Sequence, residues 1–469
     1  MFSAVASFFR TIRMSIFIVM LSPSLLRAQI RQDNFFKDGE RVNFIGNSIT
    51  HGGEFHSYII LYYATRFPSQ KVTFYNSGIW GDSANQFLKR MDKDILTNKA
   101  DYAVVMAGMN DVNRVLYSDK RKHEPDIEKQ RQDALNNYRN NLEKVILRLR
   151  QEGMKIIIQK PSIYDQTAKM PMENMSGVND ALAKCCLIID DLAGEYQLQV
   201  VDYYTPMNQV NIALQKKDSS ATIVSYDRIH PATPGSFLMA AEFLKQTLSP
   251  AVVSSVSITK RRQAAALHCK LSGLSFQKDS VMFDLDQESL PFPIPGAAEE
   301  VAGLIGFDEA LNKQLIKIDG LKKGSYTLYI DQERVATFTS AQLKRGVNLA
   351  PCRTPQARQA QEVAKQVAAY RQAYRGLRDI KIVEINFLPE IYYGATEQKT
   401  MNYIDQLKAS SSSIYTKNTY YFNLYFKSKP IESHLKNDLV RLRQSIYQSA
   451  QPLRHSYKLK RELQPPSIP

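Results

Sequence analysis

Between residue 41 and about residue 250 the chain repeats one alternation: a short, continuous β-rich run, then a longer stretch with helical periodicity. "RVNFIG" reads as a strand, "FHSYIILYYATRF" as a helix, "KVTFYN" as a strand, "SANQFLKRMDKDIL" as a helix and "DYAVVMAG" as a strand. The helix "QDALNNYRNNLEKVILRLRQEG" then leads to the strand "KIIIQ", the helix "NDALAKCCLIIDDLAGEY" to the strand "LQVVDYY", and "PGSFLMAAEFLKQTL" closes the unit. Runs apolar throughout, rather than on alternate residues, are strands buried on both faces, so the pattern predicts an α/β sandwich around a parallel sheet of about five strands.

In an open α/β sheet ligands bind beyond the carboxyl ends of the strands. Four groups fall there. Ser48 follows the first strand in "FIGNS", Gly81 follows the second in "NSGIWGDS", Asn110 follows the third in "MAGMND", and Asp227 and His230 lie in "YDRIHPATPG" before the last helix. Together they suit acyl transfer. A serine hydroxyl becomes a nucleophile when a base takes its proton, and His230 is such a base if Asp227 fixes its tautomer. Three residues separate these two, so the loop must turn back on itself. A tetrahedral oxyanion then needs donors, and the Ser48 N–H, the Gly81 N–H and the Asn110 side-chain amide are of the right kind. Taken singly, each has a plainer reading: a turn serine, an Asx cap, a helix cap.

In this order the blocks resemble the SGNH (GDSL-type) hydrolase superfamily of serine esterases, lipases and carbohydrate acylesterases. The Gly-Asp-Ser motif is here Gly46-Asn47-Ser48, the second-block glycine maps to Gly81, Gly-x-Asn-Asp is Gly108-Met109-Asn110-Asp111, and Asp-x-x-His is Asp227 to His230. The resemblance spans about residues 40 to 250. It implies a flavodoxin-like three-layer α/β/α fold, a Ser48–His230–Asp227 triad and an oxyanion hole of Ser48, Gly81 and Asn110. No cofactor is expected. His51 and His56 lack the Glu-bearing His-x-x-x-His helix of a zinc hydrolase, and there is no Gly-x-Ser-x-Gly elbow. His51 reads as a loop residue, with the entrance beside Ser48 as the alternative. The charged insertion "VLYSDKRKHEPDIEKQRQ" is either a loop over the site or solvated surface.

After residue 250 the texture changes. "SVMFDLDQ", "KQLIKIDG" and "GSYTLYIDQERVATFTSAQL" alternate apolar with polar residues, with "DQER" at a hairpin turn, so 251–350 reads as a β-rich accessory unit. Residues 351–469 read as mainly helical, opening with Thr354 as N-cap and Pro355 at the first helical position. No chemistry is legible there.

The N-terminus reads as a signal peptide over 1–28. Arg10 and Arg13 precede the apolar stretch Met14 to Leu21, and "LLRAQ" offers Ala28 for cleavage. Pro23 interrupts the stretch too early for a membrane span of roughly 17–25 residues, so the expectation is an exported protein with no stable membrane insertion. Residues 1–28 hold three arginines and no acid, so their removal lowers the net charge from +15 to +12. That surplus suits either acidic polysaccharides or an ordinary solvated face, and outside the cytoplasm nucleic acid is not the expected partner. The four cysteines are too few for a disulfide scaffold. Cys185 and Cys186 read as buried apolar residues, and whether Cys269 and Cys352 pair is open.

The expected function is therefore an exported serine esterase, a carbohydrate O-acetylesterase acting on polysaccharide. A lipase or phospholipid acylhydrolase and a non-catalytic glycan-binding protein on the same fold are the alternatives. No feature speaks to the acyl group, the alcohol or the oligomeric state.

Overall fold

The computed structural model describes residues 35–392 and 395–462, all within one compact unit. The expected signal peptide lies outside the described residues.

Five parallel strands form the first sheet: β1 (Arg41–Gly46), β2 (Thr73–Gly78), β3 (Tyr102–Met106), β4 (Lys155–Lys160) and β5 (Gln199–Asp202), in the order β2-β1-β3-β4-β5. This is the doubly wound, flavodoxin-like order, and its topological switch lies between β1 and β3. Between the strands run α1 (Ser48–Gly52), α2 (Glu54–Arg66), α3 (Ala84–Lys89), α4 (Ile127–Gln151) and α5 (Val178–Tyr196), and after β5 come α6 (Tyr204–Gln215) and α7 (Thr233–Gln246). Successive strand residues point to opposite faces, so Phe44 joins the core under α2 and α7 while Ile45 joins that under α3, α4 and α5. Both faces are dry, which accounts for the absence of polar alternation along the strands.

The helices depart from the sequence reading in places, and "SANQFLKRMDKDIL" is α-helical only over Ala84–Lys89. Helix α4 starts at Ile127, several residues early, because Ile127 and Leu135 are already buried and extend its apolar stripe into the charged insertion. Helix α6 was not expected. Its apolar residues Met207, Val210 and Leu214 cover the end of the core, but "PMNQVN" carries little helix signal of its own.

Beyond residue 250 two antiparallel-rich sheets face each other. One contains β6 (Val252–Ile258), β7 (Ala264–Leu267), β10 (Lys313–Ile318) and β13 (Val347–Asn348), in the order β13-β10-β6-β7. The other contains β8 (Cys269–Gln277), β9 (Ser280–Gln287), β11 (Ser325–Ile330), β12 (Glu333–Thr339) and β14 (His455–Arg461), in the order β12-β11-β14-β9-β8. Val256, Ile316, Phe283, Leu328 and Leu459 fill the space between them. The β11–β12 hairpin turns on Asp331 and Gln332, both at positive φ (49° and 70°), as a two-residue type I′ turn requires. Strand β14 comes from the far end of the chain and sits in the middle of its sheet. Cys269 and Cys352 are free thiols, and Cys185 and Cys186 are buried in α5.

Of three short helices, α8 (Glu299–Leu304) and α9 (Phe307–Leu311) pack against α7, and α10 (Ser340–Arg345) packs on β10 and β12. The long helix α11 (Pro355–Asn386) begins as read, with the Thr354 hydroxyl accepting the Ala357 N–H at 3.0 Å. It runs past the β2 edge of the parallel sheet, where the Tyr370 hydroxyl meets Phe74 O. Helices α12 (Glu397–Ala409), α13 (Ser413–Lys417), α14 (Thr419–Ser428) and α15 (Glu432–Ser449) complete this region, and α15 packs along α11. Among the described residues no helix is long and apolar enough to cross a membrane.

Candidate active site

Strand β1 ends in a turn too tight for a side chain. A Cβ on Gly46 would lie 2.1 Å from Thr50 Oγ1. The next residue, Asn47, accepts the Ile49 N–H on its side-chain oxygen at 3.0 Å and so caps α1, whose first residue is Ser48. Asparagine and aspartate cap equally well, which gives the departure at position 47 a local explanation. Ser48 is thereby presented at the switch point of the sheet, with its own N–H lacking an acceptor among the described residues.

The 225–231 segment doubles back as the Asp-x-x-His spacing demands. The Ser225 N–H donates to His230 O at 2.7 Å, Val224 and Pro231 form an isolated antiparallel bridge, and Arg228 takes a left-handed φ of 66°. The buried Arg228 guanidinium fastens this turn by donating to the main-chain oxygens of Asp165, Ala168, Met170 and Met172.

Within the turn one Asp227 oxygen accepts from Ser225 Oγ (2.7 Å) and from the N–H groups of Ile229 and His230 (3.0 Å each), and the other meets His230 Nδ1. His230 Nε2 lies 2.7 Å from Ser48 Oγ. Partial burial would raise the Asp227 carboxyl, but these four bonds outweigh it and hold the group well below the usual carboxylate range. An ionised Asp227 places the ring proton on Nδ1 and leaves the Nε2 lone pair facing the serine hydroxyl.

Gly81 and Asn110 belong to the loops that follow β2 and β3. Gly81 has φ 79°, and a Cβ there would meet nothing within 4 Å. The glycine is thus required by backbone conformation, not by crowding. Its N–H has no acceptor among the described residues. The Asn110 amide donates one hydrogen to Asp82 O at 2.8 Å, which orients it and leaves the other free. Asp111 ties the third block to the second by accepting the N–H groups of Gly108 and Ala84 at 2.8 Å each, and burial pushes its carboxyl up to about 6.

Beneath these loops lies a buried charge network that the sequence reading missed. Arg90 donates to Asp82 (2.6 Å), Asp94 (2.6 Å) and Ser77 O (2.8 Å). Arg378 of α11 grips Asp94 with two bonds of 2.7 Å and reaches Gly78 O at 3.0 Å. Burial would raise Asp94, yet Arg378 and Arg90 overturn that and hold it far below the ordinary range, whereas burial wins at Asp82, which bonds Arg90 and feels Arg378 only at longer range, and carries it up to about 6. His51 needs correction too. It belongs to α1, is fully buried, and its Nε2 meets Asp379 of α11 at 2.9 Å, so it is neither a loop residue nor at an entrance. The signal for these residues was faint: in "YRGLRDIKIVE" charged and apolar residues are mixed along a long helix, a pattern that ordinarily reads as a solvated face.

Comparisons with known proteins follow the same lines. The profile of the GDSL-like lipase/acylhydrolase family matches residues 44–236. The solved structure of a gut microbial diltiazem-metabolizing enzyme is 30% identical, with a TM-score of 0.81, over 91% of this chain and 98% of that one. An acetylxylan esterase from Geobacillus stearothermophilus is 22% identical over 223 residues, 44% of this chain and 94% of the relative. A crystal structure of such an esterase from that organism covers 45% of this chain and 95% of its own, at 22% identity and a TM-score of 0.37.

Proposed function

The chain belongs to the GDSL-like lipase/acylhydrolase family and is a carboxylic ester hydrolase, and on that premise we propose that it is an exported serine esterase working through a Ser48–His230–Asp227 acyl-enzyme. The observation that carries the reading is the unbroken line from Asp227 through His230 to Ser48 Oγ, with 2.7 Å between Nε2 and Oγ.

As Ser48 Oγ attacks the ester carbonyl carbon, His230 Nε2 takes the hydroxyl proton and Asp227 stabilises the imidazolium that forms. The carbonyl oxygen becomes an oxyanion facing the Ser48 N–H, the Gly81 N–H and the free hydrogen of the Asn110 amide. Collapse breaks the bond to the alcohol, which leaves with the proton held on Nε2. Water then repeats the sequence on the acyl-enzyme: His230 takes its proton, hydroxyl adds to the acyl carbon, and Ser48 leaves reprotonated.

We take the substrate to be an acetylated polysaccharide. The acetylxylan esterase relative supports that reading, as do the net positive charge left without residues 1–28 and the expected export. The experiment is acetate release from acetylated xylan, acetylated pectin and diltiazem, alongside p-nitrophenyl acetate hydrolysis by the parent and by Ser48→Ala. Polysaccharide turnover well above that of the small esters is the expected result. Equal rates for parent and Ser48→Ala would overturn the mechanism, and activity confined to the small esters would overturn the substrate class.

A further inference from the structure

Two consecutive residues of α11 lead, by separate routes, to the two halves of the catalytic apparatus. Asp379 accepts from His51 Nε2 at 2.9 Å. The His51 and Trp80 rings meet in a T-shaped pair (centroids 5.8 Å, 75°), and the Trp80 ring packs at a tilt against the His230 imidazole (5.3 Å, 38°). His51 is also the fourth residue of α1, so the bond that sets its ring fixes the helix that opens with Ser48. The other route begins at Arg378 and passes through Asp94, Arg90 and Asp82 to the Asn110 amide, each link between 2.6 and 2.8 Å. On the way it holds Gly78 O and Ser77 O at the end of β2.

We infer that Arg378 and Asp379 are positioning residues of the esterase: Asp379 steadies the general base and the nucleophile helix, and Arg378 aims the oxyanion donor Asn110. The inference rests on the roles given to Ser48, His230 and Asn110 above. Neither residue touches substrate. Both work because His51, Asp94, Arg90 and Asp82 are buried and held by hydrogen bonds, and the half-buried Trp80 packs between the His51 and His230 rings, so a shift at α11 has little slack to absorb it. Arg suits the first position because its planar fork meets both Asp94 oxygens while a third N–H reaches the Gly78 carbonyl, a geometry lysine cannot copy. Asp suits the second because it gives the buried His51 ring an acceptor; its other nitrogen, Nδ1, has none.

The test uses the full chain and two kinds of readout, kcat and KM for p-nitrophenyl acetate, and inhibition by phenylboronic acid, whose boron takes up the serine oxygen in a tetrahedral adduct. A displacement on the ångström scale at the reacting groups costs about 10²-fold. Arg378→Met is therefore expected to weaken boronate inhibition and lower kcat by about 10- to 100-fold, with KM changed by less than about threefold. Asp379→Ala should move the same quantities by about tenfold, whereas Asp379→Asn, which keeps an acceptor for His51, should stay within about threefold of the parent. The inhibition constant reports only folded, competent sites, so a lower folded fraction does not imitate the effect. If Arg378→Met does not fold, the Ala and Asn pair at 379 decides. Unchanged boronate affinity in both Arg378→Met and Asp379→Ala, or equal damage from Asp379→Ala and Asp379→Asn, would overturn the inference. Full activity in Ser48→Ala would instead remove the mechanism on which it stands.

Discussion

The rim of the candidate active site and the frame beneath it are built by different means. The rim consists of three short loops at the ends of β1, β2 and β3 and the turn between α6 and α7, each presenting one or two groups to solvent; His230 and Asp227 keep about 30% and 27% of their side chains exposed. The frame consists of Arg90, Asp94, Arg378, His51 and Asp379, all buried, drawn from segments separated by up to 328 residues. Rim groups can be exchanged at little structural cost, because water can take over for a missing partner. In the frame the charges of Asp94, Arg90 and Arg378 balance one another while buried, and removing one strands its neighbours.

The sharpest way to separate the two is Ser48→Ala. It should cut kcat by about 10⁵- to 10⁶-fold and leave the urea midpoint where it was, as steady-state kinetics and chemical denaturation on one preparation would show. Asp94→Ala should do the reverse in character, losing about 3–5 kcal/mol of stability because Arg90 and Arg378 lose their shared carboxylate. If the urea midpoint does not move, the frame is not a stability element and the contrast fails. Asn110→Ala tests the rim again at smaller amplitude: kcat should fall by about 10²- to 10³-fold with KM nearly constant.

The smallest effect is a pH dependence at the join between rim and frame. Asp111 has a raised folded pKa of about 6, so the folded state holds its proton more tightly than the unfolded chain does. Its contribution is therefore most favourable below pH 4 and declines as pH rises toward 6, by at most roughly 2–3 kcal/mol. The cost of Asp111→Asn should be smaller at pH 7 than at pH 4.5 in urea titrations. Equal cost at both would mean that Asp111 titrates normally.

The same division explains what could be read in advance. The parallel sheet was legible because strands buried on both faces write themselves as unbroken apolar runs, and the rim residues because their types suit acyl transfer and their order resembles that of the GDSL-type hydrolases. Arg378 and Asp379 were not, since a charged pair on a long helix is usually solvated, and only the path of α11 along the β2 edge turns them inward. His51 was misplaced for a related reason: its partner lies 328 residues away. Helix α6 escaped because tertiary burial, rather than local propensity, holds it together.

The position of β14 has a consequence for how the molecule is made. This strand occupies the centre of its sheet, paired with β9 on one side and β11 on the other. During synthesis those two strands therefore wait, with edges unpaired, until residues 455–461 emerge more than a hundred residues later. For that interval they are open to pairing with another chain. Shortening the chain before residue 455 would make that vulnerability permanent, so the last strand acts as the latch that ends it.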